Sequence, residues 1–307
     1  MPARGQSGVV AIFGPTASGK SDAAEALADR LPAELVSADA MQVYRGLPIL
    51  TNQSAHPAHL VAAWPLHHEG SVGEFERLAH TAIDGIIRRG RTPVVVGGTG
   101  LYLRAALADL RIPPAPPAEL RERVQTMYDR LGPAASYAML AERDPAAAAA
   151  VHPNDRRRVV RALELAELGA SLRPADQRLW HEQTRHPTVI VGLDLSVDEL
   201  DRRIGLRTHA MFERGVEEEV RRVLADGRVS RTAWAIHGLR EIAELPADEA
   251  CAELVRITRR YARYQRKWMR RIPGLVTVRA DRPAGEVADE ILEVASARQL
   301  LSRRRAG

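Results

Sequence analysis

Gly14-Pro15-Thr16-Ala17-Ser18-Gly19-Lys20-Ser21 has the spacing G-x-x-x-x-G-K-[ST]. It follows a short apolar run, Val9–Phe13, and opens a segment of helical periodicity, which is the context the pattern needs. Glycines let backbone N–H groups converge on a phosphate, and the start of a helix adds positive potential. Lys20 would neutralise the outer phosphate, and the Ser21 hydroxyl can hold Mg²⁺. Of the 44 basic residues only two are lysines, Lys20 and Lys267, so a lysine at this position stands out against an arginine background. The loop does not say which phosphate it holds. A nucleoside triphosphatase places an aspartate at the end of a later apolar strand to position Mg²⁺. Here the third apolar run, Pro93–Val96, leads into Gly97-Gly98-Thr99-Gly100 instead, which weakens an ATPase reading.

Three further groups of residues could do chemistry. Asp39 follows the second apolar run, Glu34–Ser37; there it can serve as a general base or support a metal, or simply cap a turn. Gly97–Gly100 lets a ligand approach the backbone, and the Thr99 hydroxyl could bond a phosphate or a base; a plain turn is the other reading. Asn154 to Glu164 reads as a capped helix with arginines in its first turns. Cations there oppose the helix dipole, so the cluster suits a nucleic-acid backbone or a solvated face. His67-His68 lacks partners at ligand spacing, which argues against a metal site. Trp64 and Trp180 read as packing residues.

These groups need elements to position them. Apolar runs at Val9–Phe13, Glu34–Ser37, Pro93–Val96 and Thr188–Leu195 alternate with helical segments at Ser21–Leu31 and Phe75–Arg89. That alternation predicts a parallel α/β sheet with its ligand at the carboxyl ends of the strands. Ile112–Ala118 (IPPAPPA) predicts a stiff extended connection. It leads into a stretch to about Trp180 with helical periodicity and an alanine-rich helix start after Asp144-Pro145. Two parts are expected: a core of residues 1–111 and 186–307, and a helical insertion of residues 112–185. Helices dominate from Val197 onward. Leu254, Ile257, Tyr261, Tyr264 and Trp268 fall on one predicted apolar face, with the arginines between 256 and 271 largely off it.

Composition limits the options. The chain has 307 residues, 45% of them apolar and 27% charged, enough for a packed core. The net charge of +5 fits an anionic partner without requiring one. A lone cysteine, Cys251, excludes an internal disulfide framework and a cysteine-based zinc site and suits a reducing compartment. With no apolar stretch of signal-peptide or membrane length, a cytoplasmic protein without membrane contact is expected.

Taken in order, the motifs resemble those of the tRNA dimethylallyltransferase (isopentenyl-tRNA transferase) family. The resemblance rests on GPTASGKS at 14–21, SADAMQVY at 37–44 and GGTGLY at 97–102. It continues through Asp144-Pro145, His152-Pro153-Asn154-Asp155 and Arg158 to Arg161-Ala162-Leu163-Glu164. Arg203-Ile204, Arg207, Met211, Gly215 and Glu219-Val220 follow, then the helix from Thr258-Arg259-Arg260-Tyr261 to Gln265, Trp268 and Arg270. The series covers the chain from Val9 to about Arg271. The sequence departs from the family at Ile49-Leu50-Thr51-Asn52-Gln53 (often I-G-T-A-K), at Ala62 (an aspartate) and at Gly238-Leu239-Arg240 (G-Y-[KR]). The absence of a cysteine-based zinc finger points to the bacterial type.

The resemblance implies a P-loop NTPase-like fold, a parallel sheet flanked by helices with a helical insertion. It implies transfer of a dimethylallyl group from its diphosphate to N6 of the adenosine 3′ of the anticodon, in tRNAs that read codons beginning with U. The loop Gly14, Pro15, Thr16, Ala17, Ser18, Gly19, Lys20 and Ser21 would hold the diphosphate rather than ATP, with Mg²⁺ at Ser21 and Arg207 beside the leaving group. Asp39 would take the proton of the attacking amine and Thr99 would contact diphosphate or nucleotide. Asp39, Ala40, Met41, Gln42, Thr99, Arg121, Arg157, Arg158, Val159, Val160 and Arg161 would touch tRNA, and the chain would act as a monomer. Three other readings remain open: an isopentenyltransferase acting on free adenine nucleotides, a small-molecule P-loop kinase, and a non-catalytic RNA-binding protein.

Overall fold

The computed structural model describes residues 8–113, 115–172, 178–225 and 227–298. They fall into two compact units, 1–109 with 182–307, and 110–181. Pro114 of the proline-rich connection and residues 173–177 of the expected insertion lie outside the described residues.

In chain order the elements are β1 Val9–Phe13, α1 Lys20–Ala28, β2 Ala33–Ser37, β3 Ala58–His59, α2 Val72–Arg88, β4 Thr92–Gly97 and α3 Gly100–Leu107. The second unit supplies α4 Ala118–Arg143, α5 Pro145–Ala150 and α6 Arg156–Glu167. The first unit resumes with β5 Thr188–Asp194, α7 Val197–Glu213, α8 Val216–Ala225, α9 Leu239–Glu244, α10 Ala247–Met269, β6 Val276–Arg279 and α11 Ala284–Ala297.

The sheet of the first unit has the order β3-β2-β4-β1-β5-β6, and every pairing is parallel. Its centre is built from continuous Val/Ile-rich runs, as a sheet covered on both faces requires. All five residues of β1 are buried. Val10, Ile12 and Val191 pack with Ala24 and Leu27 of α1 and with Val287 and Ile291 of α11. α2 and α3 also pack together, with the Phe75 and Tyr102 rings 4.4 Å apart. α2 begins earlier than periodicity alone predicts, because Ser71 Oγ accepts from Glu74 N at 3.2 Å and caps it.

Register decides what meets at the carboxyl edge. Phe13 lies opposite Gly97, and Ser37 opposite Val96. The residues that follow these three strands, Gly14, Ala38-Asp39 and Gly98-Thr99, therefore emerge side by side. β1 has β4 on one side and β5 on the other, which is where such sheets open a crevice for a ligand.

Two expectations are corrected. Tyr264 does not share the buried face of α10: it is 52% exposed. That face is formed by Ala250, Leu254, Ile257, Ala262, Gln265 and Met269. The aromatic spacing misled because large rings also fit a wet surface. Strands β3 and β6 carry no strand signal in the sequence. Both are short edge strands with mostly half-buried or exposed residues, so they lack the apolar run that marked the central ones.

The unit of residues 110–181 has its own small core, including Leu120, Val124, Tyr128, Leu140, Val159 and Leu163. α4 changes direction at Gly132 (φ 77°, ψ 173°), just before Pro133. Asp144 caps α5 by accepting from Ala147 N at 2.9 Å, and Asp155 caps α6 by accepting from Arg158 N at 3.1 Å. Among the described residues no helix is long and apolar enough to cross a membrane.

Candidate active site at the carboxyl edge of the sheet

The phosphate loop runs straight from β1 into α1. Gly19 at its end has φ 83°, a left-handed conformation that glycine adopts without strain. It turns the chain so that Lys20 is the first residue of α1. Gly14, Pro15 and Ser18 are buried behind the loop, while Thr16, Lys20 and Ser21 line a cleft. The same cleft is lined by Ser37 at the end of β2, by Asp39, Met41 and Gln42 after it, by Gly97 at the end of β4, by Arg207 of α7, by His237, and by Tyr261 and Gln265 of α10.

The electrostatics suit an anion. The Lys20 ammonium folds back on Pro15 O at 3.2 Å. Burial brings its pKa down to about 8; the Asp39 carboxylate opposes that shift and the Arg207 guanidinium adds to it. Arg207 donates from Nη2 to Thr16 Oγ1. Its pKa too is lowered by burial, against the pull of Asp39. Arg207 Nε is buried with no hydrogen-bond partner among the described residues, and a buried donor left unsatisfied costs about 1–3 kcal/mol. An anion arriving between Lys20 and Arg207 would meet that demand.

Asp39 is held by its own turn: Oδ1 accepts from Met41 N at 2.8 Å and from Gln42 N at 3.3 Å. Oδ2 has no hydrogen-bond partner among the described residues. Thr99 stands in the wall of the site. Its Oγ1 accepts from Ala40 N at 3.4 Å and shares a hydrogen bond with the Tyr261 hydroxyl at 3.2 Å. Burial pushes the Tyr261 phenol well above its ordinary pKa, so it stays protonated. The His237 ring meets Tyr261 edge-on, with centroids 4.5 Å apart, and burial lowers the imidazole pKa.

Gln265 and Glu219, which the motifs contain without a stated role, help build this site, as do Gly100 and Gln42. Gln265 bonds both the phosphate loop and Gly98. Gly100 admits Trp268: a Cβ there would lie 2.3 Å from its ring. Glu219 is 3% exposed, and its carboxylate accepts from Ile49 N at 2.7 Å and Leu50 N at 2.8 Å. Gln42 Nε2 then donates to Thr51 O at 3.2 Å and Asn52 O at 3.0 Å. The segment that departs from the family pattern at Ile49–Gln53 is thus fixed by side chains from elsewhere. Gln265 and Glu219 stand in the matched motifs, but nothing beside them in sequence tells what they hold.

The remaining predicted residues lie in the helical unit. Arg157 and Arg158 are exposed, Arg158 lying 3.6 Å from Asp155. Arg121 and Arg161 are half-buried; Arg161 pairs with Glu164 at 3.2 Å and donates to Pro113 O at 3.2 Å. Val159 and Val160 are 0% and 5% exposed. Their side chains are buried in the core of this unit. His68 bonds Glu74 at 2.8 Å. Among the described residues no group of three or more His, Cys, Asp or Glu side chains is arranged to hold a metal ion.

Residues 42–272 match the family model described as IPP transferase, and residues 7–60 match that of isopentenyl transferase. A protein of Streptomyces coelicolor named tRNA dimethylallyltransferase is 42% identical over 86% of this chain and 88% of its own. A protein of the same name from a Nocardioides species is 40% identical over 96% and 98%. Among solved structures, the tRNA isopentenylpyrophosphate transferase of Bacillus halodurans matches with a TM-score of 0.66 and 32% identity over 95% of this chain and 97% of its own. A eukaryotic dimethylallyltransferase described as acting on tRNA matches with a TM-score of 0.76 and 25% identity over 97% and 81%. The fold is that of the P-loop transferases. The chain belongs to the IPP transferase family, alongside the tRNA dimethylallyltransferases.

Proposed function

We propose that the chain transfers a dimethylallyl group from dimethylallyl diphosphate to N6 of the adenosine immediately 3′ of the anticodon, in tRNAs that read codons beginning with U. The observation that carries this reading is one cleft shared by an anion cradle, Lys20 with Arg207, and a carboxylate with a free oxygen, Asp39. The allylic C–O bond to diphosphate breaks as the N6–carbon bond forms. Lys20, Arg207 and the loop N–H groups stabilise the charge on the departing diphosphate. Asp39 Oδ2 takes the proton that N6 loses. An exocyclic amine is a weak nucleophile, so holding it in line with the allylic carbon matters most. The adenine must leave its stack to reach the sheet edge.

The donor set fits Mg²⁺, which keeps several waters and binds through substrate phosphates with few protein ligands. The Ser21 hydroxyl would hold it, and when bound it would neutralise charge on the diphosphate. Its tRNA substrate makes the cytoplasm its place of work.

Two results are expected. The Lys20 pKa of about 8 makes the ammonium complete well below that pH and lost above it. Affinity for diphosphate is therefore level near pH 7 and falls by up to about tenfold per unit above pH 9. Binding is accompanied by proton uptake near pH 8. Calorimetry in buffers of different ionisation enthalpy measures both, and a flat profile contradicts the placement of Lys20. Second, in the helical unit, Arg157→Ala with Arg158→Ala weakens tRNA binding and lowers the slope of log affinity against log salt by about 1–2. An unchanged slope makes them a solvated face.

The function is tested with labelled dimethylallyl diphosphate, Mg²⁺ and three acceptors: unmodified tRNA, AMP, and none. Label at the nucleotide 3′ of the anticodon is expected. Label in AMP would move the protein to free-nucleotide chemistry.

A further inference from the structure

Gln265 is a buried polar residue to which the chemistry above gives no part. It is 2% exposed, on the inner face of α10. Its Oε1 accepts from Thr16 N at 2.7 Å, in the phosphate loop. Its Nε2 donates to Gly98 O at 2.9 Å, in the loop after β4. One carboxamide therefore spans two loops that strand register places side by side. The amide can face only one way, because Thr16 offers a donor and Gly98 an acceptor. The backbone leaves room for it: a Cβ on Gly98 would lie 2.2 Å from Gln265 Nε2. One turn earlier on the same helix, Tyr261 shares a hydrogen bond with Thr99 Oγ1, which in turn accepts from Ala40 N beside Asp39.

We infer that Gln265 is a positioning residue that locks the phosphate loop against the Gly97–Gly100 loop, and so sets the line along which the amine attacks the allylic carbon. The inference rests on the transferase reading. The leaving group sits on one of the two loops, and the turn that carries the base is tied to the other. Each loop can still bind its own part of the substrates when the bridge is cut. What is lost is their mutual alignment, and a displacement of about 1 Å is enough to cost about 100-fold in rate. A side chain that served packing alone would not show this division.

Two near-isosteric variants test it. Gln265→Met removes both hydrogen bonds and keeps the volume. Gln265→Glu keeps the acceptor for Thr16 N–H but, when ionised, faces Gly98 O with a second acceptor. Protonation restores the missing donor, and burial raises a carboxyl pKa towards neutrality. With Gln265→Met, kcat falls by about 100-fold. KM for dimethylallyl diphosphate and the affinity for tRNA stay within about threefold of wild type. The activity of Gln265→Glu relative to Gln265→Met rises as pH falls from 8 towards 6. Wild-type kcat in both variants, a loss carried wholly by substrate affinity, or a pH-independent ratio would each overturn the inference. If Gln265→Met does not fold, the pH profile of Gln265→Glu against wild type decides. Wild-type enzyme that transfers nothing to tRNA contradicts the transferase reading; wild-type transfer with undiminished Gln265→Met transfer contradicts the role of Gln265 alone.

Discussion

Asp39→Asn lowers turnover by about 10²–10⁴-fold, the usual worth of a positioned general base. The substitution is chosen because it leaves the turn intact. An asparagine Oδ1 still accepts from Met41 N and Gln42 N, the two bonds that hold the residue. The free atom becomes an amide nitrogen, which cannot take a proton from N6. Loss of the Asp39 charge beside Lys20 and Arg207 alters the anion cradle only electrostatically, so tRNA affinity and KM for the diphosphate change far less than kcat, which collapses. Rapid-quench measurement of a single turnover separates the chemical step from release. A normal single-turnover rate would remove Asp39 as the base, and a loss confined to tRNA affinity would make it a contact residue.

Lys20→Ala has the second large effect. The ammonium is half-buried beside Arg207, and the enclosure that lowers its pKa to about 8 also strengthens its attraction for an anion. Charge on the bridging oxygen grows as the allylic bond breaks, so the interaction is stronger in the transition state than in the bound substrate. Removing it costs about 10²–10³-fold in kcat, with a further loss in affinity for the diphosphate. Arg207 Nε, without a hydrogen-bond partner among the described residues, loses nothing that a structural salt bridge would supply. Thermal stability without ligand is therefore expected to hold or rise slightly, since a confined cation is removed. Stabilisation of the fold by added diphosphate, which follows affinity, shrinks. Equal stabilisation of variant and wild type would contradict the placement of the leaving group.

The sequence revealed what was local. The phosphate loop could be read because glycine, lysine and serine stand at fixed spacing within eight residues, between a strand and a helix. Asp39 and Gly97–Gly100 could be placed beside it because parallel strands bring their carboxyl ends to one edge, and the register of Phe13 with Gly97 realises that. What stayed hidden depends on contacts across long separations. Gln265 meets Thr16 across 249 positions, and Glu219 meets Leu50 across 169. Nothing near them in sequence marks either residue as a clamp. On α10, spacing alone could not tell the ring that packs inward from the exposed one, and Tyr264 was placed on the wrong face. Val159 and Val160 illustrate a different limit. A motif shared with a family names a segment, whereas burial decides which side chains in it can touch a partner.

What the loop of residues 14–21 releases distinguishes a prenyltransferase from a kinase. The most direct measurement supplies dimethylallyl diphosphate, Mg²⁺ and unmodified tRNA with ATP absent, and quantifies released diphosphate and N6-dimethylallyladenosine in the digested tRNA. Equal amounts of the two are predicted, with neither formed when ATP replaces the allylic substrate. Phosphate transfer from ATP, with no diphosphate released from the allylic substrate, would contradict it and make the cleft that of a kinase.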